Sequence, residues 1–331
     1  MRASKECCHA EGIVRLTNDF CSKHCLDTLF PRIRLMTPLF KLNYSNAQGG
    51  LALTGHLGVL LGSSWGLSIA WNTAWLLPML IVQGVVGVSF FACLHETVHR
   101  TAFQSRKWND RIAILCGFAL LIPATHFRRF HNAHHRHPQI SGKDPELSAP
   151  KPQTLAQYVC WVSALPFWKD RLLELSRHAQ GDIRDDFVPE QEHRQVVREA
   201  RIALGLLGGS LVWGMLGWSG FLCYWLLPLL FGQPFLRLFL LAEHTGCEES
   251  TNPEANTRTT LSNRWVRWLM WNMPYHAEHH VCPQVPFHQL PQLHGQLKSR
   301  WQVVASGYRA FHRDLVSDLN SGSSHPVRSV G

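Results

Sequence analysis

Histidines gather in three short stretches of the chain, spaced as ligands on helix faces would be. "HETVH" carries His95 and His99 at i and i+4. "HNAHH" carries His131, His134 and His135, and "HAEHH" carries His276, His279 and His280, both at i, i+3 and i+4. On a helix these intervals bring the side chains to one side. His244 adds a further imidazole at the end of an apolar run, in "LLAEHTG". An isolated histidine beside an apolar face is ordinarily a hydrogen-bonded core residue, but two identical triplets and a pair are a pattern. Imidazole is useful chiefly for moving protons and holding metals. Nine neutral nitrogen ligands are too many for one tetrahedral zinc, and suit two metal ions at four or five nitrogens each. Iron, zinc and copper all accept imidazole, so ligand type leaves the metal open.

The elements that must position these residues are apolar blocks set between basic, histidine-rich ones. Residues 51–71 and 74–94 each hold about the 20 apolar residues that cross a bilayer core, with only Asn72 and Thr73 between them. A second block, 202–217 and 221–243, holds two more spans around a turn at Gly217 to Gly220. The run 112–124 is short for a span and reads as an interfacial helix. The polar stretch 125–200 is too long for a structureless loop, so a helical cap is expected there. Cationic flanks follow each block: Arg100, Arg106, Lys107 and Arg111, then Arg128, Arg129 and Arg136, then Arg258, Arg264 and Arg267. The positive-inside rule then puts both open hairpin ends, and every histidine cluster, on the cytosolic side. The expected fold is an all-α integral membrane protein: two transmembrane helical hairpins with a cytosolic helical cap. A cytosolic leader over 1–45, a membrane domain over 46–310 and a C-terminal tail over 311–331 complete the division.

Composition agrees. The 331 residues carry 17% charged side chains, against about 25% in a typical soluble domain. The mean hydropathy of −0.08 averages over very unlike blocks. The net charge of +9 suits an anionic membrane surface; nucleic acid is excluded because no aromatic-interleaved binding motif accompanies it. Ten Cys are thinly spread, with Cys93, Cys116, Cys160 and Cys223 inside apolar runs. Buried, reduced thiols are expected rather than a disulfide framework. The N-terminus shows no early apolar core, so no secretory signal is expected. Cys7, Cys8, His9, Cys21, His24 and Cys25 match no standard zinc-finger spacing and are read as an ordinary tail.

HxxxH, HxxHH and HxxHH in this order, between two membrane hairpins, resemble the histidine-box integral-membrane family of fatty acid desaturases, lipid hydroxylases, carotenoid ketolases and alkane monooxygenases. The resemblance covers roughly residues 50–300. "DPE" at 144–146 and Asn272, four residues before His276, also look like the family's pattern. It implies a di-iron centre that uses O2 to act on an unactivated C–H bond. The implied iron ligands are His95, His99, His131, His134, His135, His276, His279 and His280, with His244 where the family often supplies one more. Asn272, Glu96, Glu278 and Asp144 are candidates to orient the imidazoles. Desaturation of a fatty acyl chain is preferred because it is the family's largest branch; lipid hydroxylation or carotenoid ketolation on the same irons is the alternative. Electrons are expected from a separate ferredoxin or cytochrome b5 type donor, since the chain has no HPGG haem segment and no ferredoxin cysteine spacing. A bacterial inner membrane is preferred to the endoplasmic reticulum. Trp161, Phe167, Trp168, Phe235 and Phe239 are candidate pocket residues, with core packing as the alternative. The segment "RTTLSNRW", 258–265, could meet a headgroup or the electron donor, or be a solvated loop.

Three rivals compete. "HETVH" is also HExxH, the zinc metalloprotease pattern with Glu96 as general base, but the second apolar block offers no Asp as third ligand. A carboxylate-bridged bundle would use ExxH pairs such as Glu96/His99 and Glu190/His193, yet membrane hairpins do not suit that shape. A metal transporter would place its ligands at mid-membrane, whereas these lie at its edge.

Overall fold

The computed structural model describes residues 41–321 apart from Trp218. The leader cysteines and histidines, Cys7 to Cys25, and the end of the tail lie outside the described residues. Helix α1 (Asn46–Ala70) starts at Ser45, whose hydroxyl accepts from Gln48 N at 3.2 Å, a conventional N-cap. A five-residue turn, with Asn72 at φ 61°, leads into α2 (Leu76–His99). Helix α3 (Arg106–Leu120) is followed by Leu121 at φ 57° and by Pro123, where the chain turns through 100° into α4 (Ala124–Arg136). Proline has no N–H to continue α3, so the expected helix over 112–124 instead ends at Leu120 and a second begins.

The cap is built from α5 (Leu155–Val162) and α6 (Leu165–Ala179). Helix α7 (Glu190–Met215) is charged through its first half and apolar only afterwards. A π turn at Leu222–Leu226 runs into α8 (Leu227–His244). The remainder is short: β1 (Thr259–Thr260), α9 (Arg264–Leu269), α10 (His276–Val281), α11 (Leu290–Leu297), β2 (Val304–Ala305) and α12 (Tyr308–Ser321). Strands β1 and β2 pair in parallel, Thr259 opposite Val304. Helix α12 runs past the expected boundary at residue 310, because Phe311 and Leu315, one turn apart, are buried against Leu241 and Ala242 of α8.

The protein is thus a mostly helical membrane fold. Among the described residues, two helical segments are long and apolar enough to cross a bilayer: Leu76–His99 and Leu222–His244. Helix α2 is the hub, packing most extensively on α8 and then on α3 and α1. From Phe90 to Val98 it is buried on every side, as a helix at the centre of a bundle must be. Its crossing with α8 is close because two glycines face each other. A Cβ on Gly84 would strike the Pro228 carbonyl and Gly232, and one on Gly232 would strike the Gly84 carbonyl. Small residues are what allow membrane helices to approach this nearly.

Several polar atoms within these helices find side-chain partners in place of water. Pro228 has no N–H to offer the carbonyl of Tyr224, four residues earlier. Gln83 Nε2 donates to it instead at 3.2 Å, and to Ser64 Oγ at 2.9 Å. At the start of α4, Pro123 provides no side-chain cap. Glu199 of α7 replaces it: its carboxylate accepts from Thr125 N at 2.9 Å and Thr125 Oγ1 at 2.6 Å. An acidic group is favourable at that end of a helix dipole, and the contact fixes the helix that carries the first histidine triplet. Asp110 of α3 then ties Arg100 (2.9 Å) to Arg128 (2.7 Å), joining the end of α2 to α4.

Candidate metal centre

Nine imidazoles converge where α2, α4, α8 and α10 meet, and they form two groups. His95 and His99 of α2, His131 and His135 of α4 and His279 of α10 make a group of five. His134 of α4, His244 of α8, and His276 and His280 of α10 make a group of four. Within each group one potential ligand atom from every residue lies within 4.8 Å of all the others. The triplets do not each serve one centre. The outer pair of α4, His131 and His135, joins the five while His134 joins the four. In α10 the outer pair, His276 and His280, joins the four while His279 joins the five. The groups abut, with the rings of His135 and His280 stacked at 4.1 Å.

The nitrogen contacts carry a ligand signature. His131 and His135 bring their Nε2 atoms to 3.0 Å, His135 and His279 to 3.1 Å, His244 and His276 to 3.1 Å, and His134 and His280 to 3.2 Å. Each neutral imidazole has a single N–H, and most of these nitrogens face another Nε2 rather than an acceptor of distinct type. His95 Nε2 and His99 Nε2 are buried with no hydrogen-bond partner at all. Buried polar atoms normally have one. Burial, with the neighbouring imidazoles adding to it, pushes His276, His279 and His280 well below the usual histidine pKa. They are therefore neutral, the form that binds metal. The donor set fits first-row metal ions, iron among them.

Carboxylates and carbonyls stand behind the rings. His134 Nδ1 lies 2.9 Å from Asp144 Oδ1. Asp144 also accepts from Gln139 N (2.8 Å) and Glu146 N (2.9 Å). Burial pushes the Asp144 carboxyl up, but the His134 contact and these N–H bonds outweigh it and hold it below its ordinary value. Glu96 is fully buried; Thr101 Oγ1 (2.9 Å) and Phe287 N (3.2 Å) hold one oxygen. The other, Oε1, sits 3.6 Å from His95 Nδ1 and 4.0 Å from His279 Nδ1. Such partners fix ring orientation and which nitrogen carries the proton.

Two of the four orienting candidates act elsewhere. Glu278 turns to Thr259 Oγ1 (2.6 Å) and His294 Nδ1, bracing α10 against β1 and α11. Asn272, at φ 59°, donates from Nδ2 to the Phe287 carbonyl at 3.0 Å, the residue whose N–H meets Glu96. Sequence reasoning missed Glu243, whose Oε1 is 3.6 Å from His276 Nδ1, and the Asn256 carbonyl, 3.0 Å from His244 Nδ1. The signal for Glu243 was present: a carboxylate directly before His244 at the end of an apolar run is costly to bury without a partner.

The remaining expectations divide. An apolar cavity of about 390 Å³ opens between α1, α2, α3 and the start of α8, lined among others by Leu53, Gly87, Phe90, Ile112 and Leu229. None of Trp161, Phe167, Trp168, Phe235 and Phe239 lines it. Phe239 stacks on Tyr308, Phe167 packs on Trp168, Trp161 packs beside α12, and Phe235 is exposed. In 258–265, Arg258, Thr259 and Thr260 are buried in the β1 contact rather than free to meet a headgroup or donor. Glu190 and His193 stay out of the centre, His193 Nε2 lying 3.2 Å from the Val188 carbonyl. Cys93 and Cys116 are buried free thiols, Cys223 is partly buried and Cys160 is exposed.

The HExxH protease reading fails on geometry. Glu96 addresses the Nδ1 side of His95, whereas a general base would have to face the metal-bound water on the Nε2 side. Both histidines also belong to a group of five.

Comparison with known proteins points the same way. The sn-1 oleoyl-lipid 12-desaturase of Synechocystis sp. is 25% identical over 305 residues, 83% of this chain and 80% of that one. Its counterpart from Picosynechococcus sp. is 24% identical over 248 residues, 68% and 70% of the two chains. The dihydrorhizobitoxine desaturase of Bradyrhizobium elkanii is 24% identical over 293 residues, 81% of each. The sequence model of the fatty acid desaturases matches residues 74–312. That match spans most of the chain and includes all nine histidines, so the protein belongs to the fatty acid desaturase family and is an oxidoreductase.

Proposed function

We propose that this protein is a membrane-bound di-iron enzyme that uses O2 and electrons from a separate donor to desaturate a fatty acyl chain. The observation that carries this reading is the division of nine buried or partly buried imidazoles into adjoining groups of five and four, each able to hold one metal ion. His95, His99, His131, His135 and His279 would hold one iron, and His134, His244, His276 and His280 the other. When bound, the irons supply O2 activation and hydrogen abstraction from an unactivated C–H bond.

The chain's own residues prepare that site. Asp144 and the Asn256 carbonyl accept hydrogen bonds from Nδ1–H of His134 and His244, leaving each Nε2 lone pair free. Glu96 and Glu243 each place a carboxylate oxygen behind further rings at longer range, 3.6 Å from His95 Nδ1, 4.0 Å from His279 Nδ1 and 3.6 Å from His276 Nδ1. The surrounding helices keep water from the centre.

The apolar cavity supports an acyl substrate. Phe90, in its lining, precedes His95 by five residues, about 8 Å of helical rise and about 140° round α2. A hydrocarbon chain held there would stay out of water. The cyanobacterial relatives are named for an oleoyl lipid and the Bradyrhizobium relative for dihydrorhizobitoxine; the cavity favours the former. Arg100, Arg106, Lys107 and Arg111 beyond α2 favour a cytosolic centre; a bacterial inner membrane and a ferredoxin or cytochrome b5 type donor complete the proposal.

The test is purified protein with iron, a reductant system and lipids of defined chain, analysed by mass spectrometry of the released fatty acids. Loss of two hydrogens with no oxygen gained is the expected product. Gain of one oxygen would name a hydroxylase instead, and an unchanged lipid pool with conversion of a small polar substrate would overturn the acyl reading.

A further inference from the structure

One more histidine lies on α4. His126 precedes His131 by five residues, so at 100° per residue it faces away from the histidines of the centre. It is 4% exposed. Its ring centroid is 4.7 Å from that of His178 on α6, which is fully buried. Both rings close on Asp185, from the segment between α6 and α7: His178 Nε2 lies 2.9 Å and His126 Nε2 3.5 Å from Asp185 Oδ2. One potential ligand atom from each residue lies within 4.8 Å of the others. None of the three residues belongs to the centre described above.

Hydrogen bonding alone leaves this cluster unfinished. The His178–Asp185 contact is an ordinary hydrogen bond, and Arg177 Nη2 reaches the same Oδ2 at 3.1 Å. His126 Nε2, however, is buried without a hydrogen-bond partner and points at that oxygen from beyond bonding range. Ligand bonds of 2.0–2.1 Å in a tetrahedral site set neighbouring donors roughly 3.3 Å apart. The observed 2.9 and 3.5 Å straddle that value. Behind His126, Glu174 Oε1 sits 3.4 Å from Nδ1, the relation that Glu96 has to His95 and Glu243 to His276 at 3.6 Å.

We propose that His126, His178 and Asp185 form a third cation site, separate from the histidine centre, for one divalent ion of the zinc class. Two imidazoles and a carboxylate with one coordination position left for water is a known arrangement for that ion. Bound there, it ties α4, α6 and the 180–189 segment together, on the helix that carries the first triplet. Arg177 is the competitor. Its Nη2 stands 3.3 Å from His178 Nε2 as well, so its guanidinium supplies the positive charge when no ion does and must give way when one binds.

The experiment is a metal count on iron-loaded, full-length protein in detergent, incubated with zinc sulfate alone, dialysed, and read by elemental mass spectrometry. The total per chain is informative whichever metal fills the histidine centre. Wild type should hold three ions and His178→Ala two. Because His178→Ala could fail to fold, Asp185→Asn serves as the near-isosteric variant: it should hold two ions and lose the rise in thermal midpoint that zinc gives wild type. Arg177→Met should bind the third ion about tenfold more tightly. An ion count in Asp185→Asn equal to that of wild type, or Arg177→Met binding no better than wild type, would each overturn the proposal. None of these readouts uses desaturation, so failure here and failure of the proposed function are separable.

Discussion

Asp144 Oδ1 lies 2.9 Å from His134 Nδ1, while the opposite nitrogen of that ring lies 3.2 Å from His280 Nε2. One contact fixes the proton and the other marks where a ligand atom belongs. Asn at position 144 could donate rather than accept, moving the imidazole proton to Nε2, where it blocks coordination. Asp144→Asn should therefore weaken iron binding at the four-histidine group by about 10–100-fold. Iron content after dialysis, falling from two per chain toward one, checks it. A variant that keeps both irons would show that Asp144 only caps the turn at Pro145–Ser148.

Glu96→Gln separates an orienting role from a catalytic one. Glu96 accepts from Thr101 and Phe287 with one oxygen and faces two Nδ1 atoms with the other. Gln keeps the volume and loses the charge. The expected result is a lower retention of the five-histidine iron, by about tenfold or more, with activity falling in proportion to iron. Full metal retention with activity abolished would instead assign Glu96 a direct part in the chemistry.

The groups differ in size, and single ligand losses should reveal it. His244→Ala takes the smaller group from four imidazoles to three, whereas His99→Ala leaves four in the larger one. His244→Ala should lose iron at chelator concentrations that His99→Ala withstands. Titration of both variants with a chelator, followed by iron absorbance, decides the order.

Gly84 sits against Gly232 at the crossing of α2 and α8, with backbone where a Cβ would go. Gly84→Ala must push the helices apart, an overpacking cost of about 1–3 kcal/mol. Thermal unfolding in detergent should show the loss. Because α2 carries His95 and His99 while α8 carries His244, iron retention should fall with it.

The histidine boxes were legible because i, i+3 and i+4 spacing survives any tertiary arrangement of the helices that bear it. The partition was not: which member of "HNAHH" meets which member of "HAEHH" depends on how α4 and α10 face each other, and no local spacing encodes that. Spans were read from apolar runs, yet α7 puts Glu190 to Arg201 in the same helix as its apolar half, so the run marked only the end of a longer element. His126, His178 and Asp185 each lack a motif, and only the turn at Pro123 and the path of 180–189 bring them together. Arg258 looked like a surface cation. It is buried under Phe311, its guanidinium 4.7 Å from that ring and bonded to the Ala242 carbonyl, because α12 folds back over it.

The crossed allegiance of the two triplets bears on how the protein comes to be loaded. Synthesis delivers residues 95–135 first, and they hold four of the five imidazoles for one ion but only His134 for its neighbour. Helix α10 supplies three more ligands in six residues, and until it docks neither cage is closed. If the two groups hold the proposed irons, metallation is expected only after α10 has docked, and a nascent chain halted at about residue 270 should release iron that the finished polypeptide keeps.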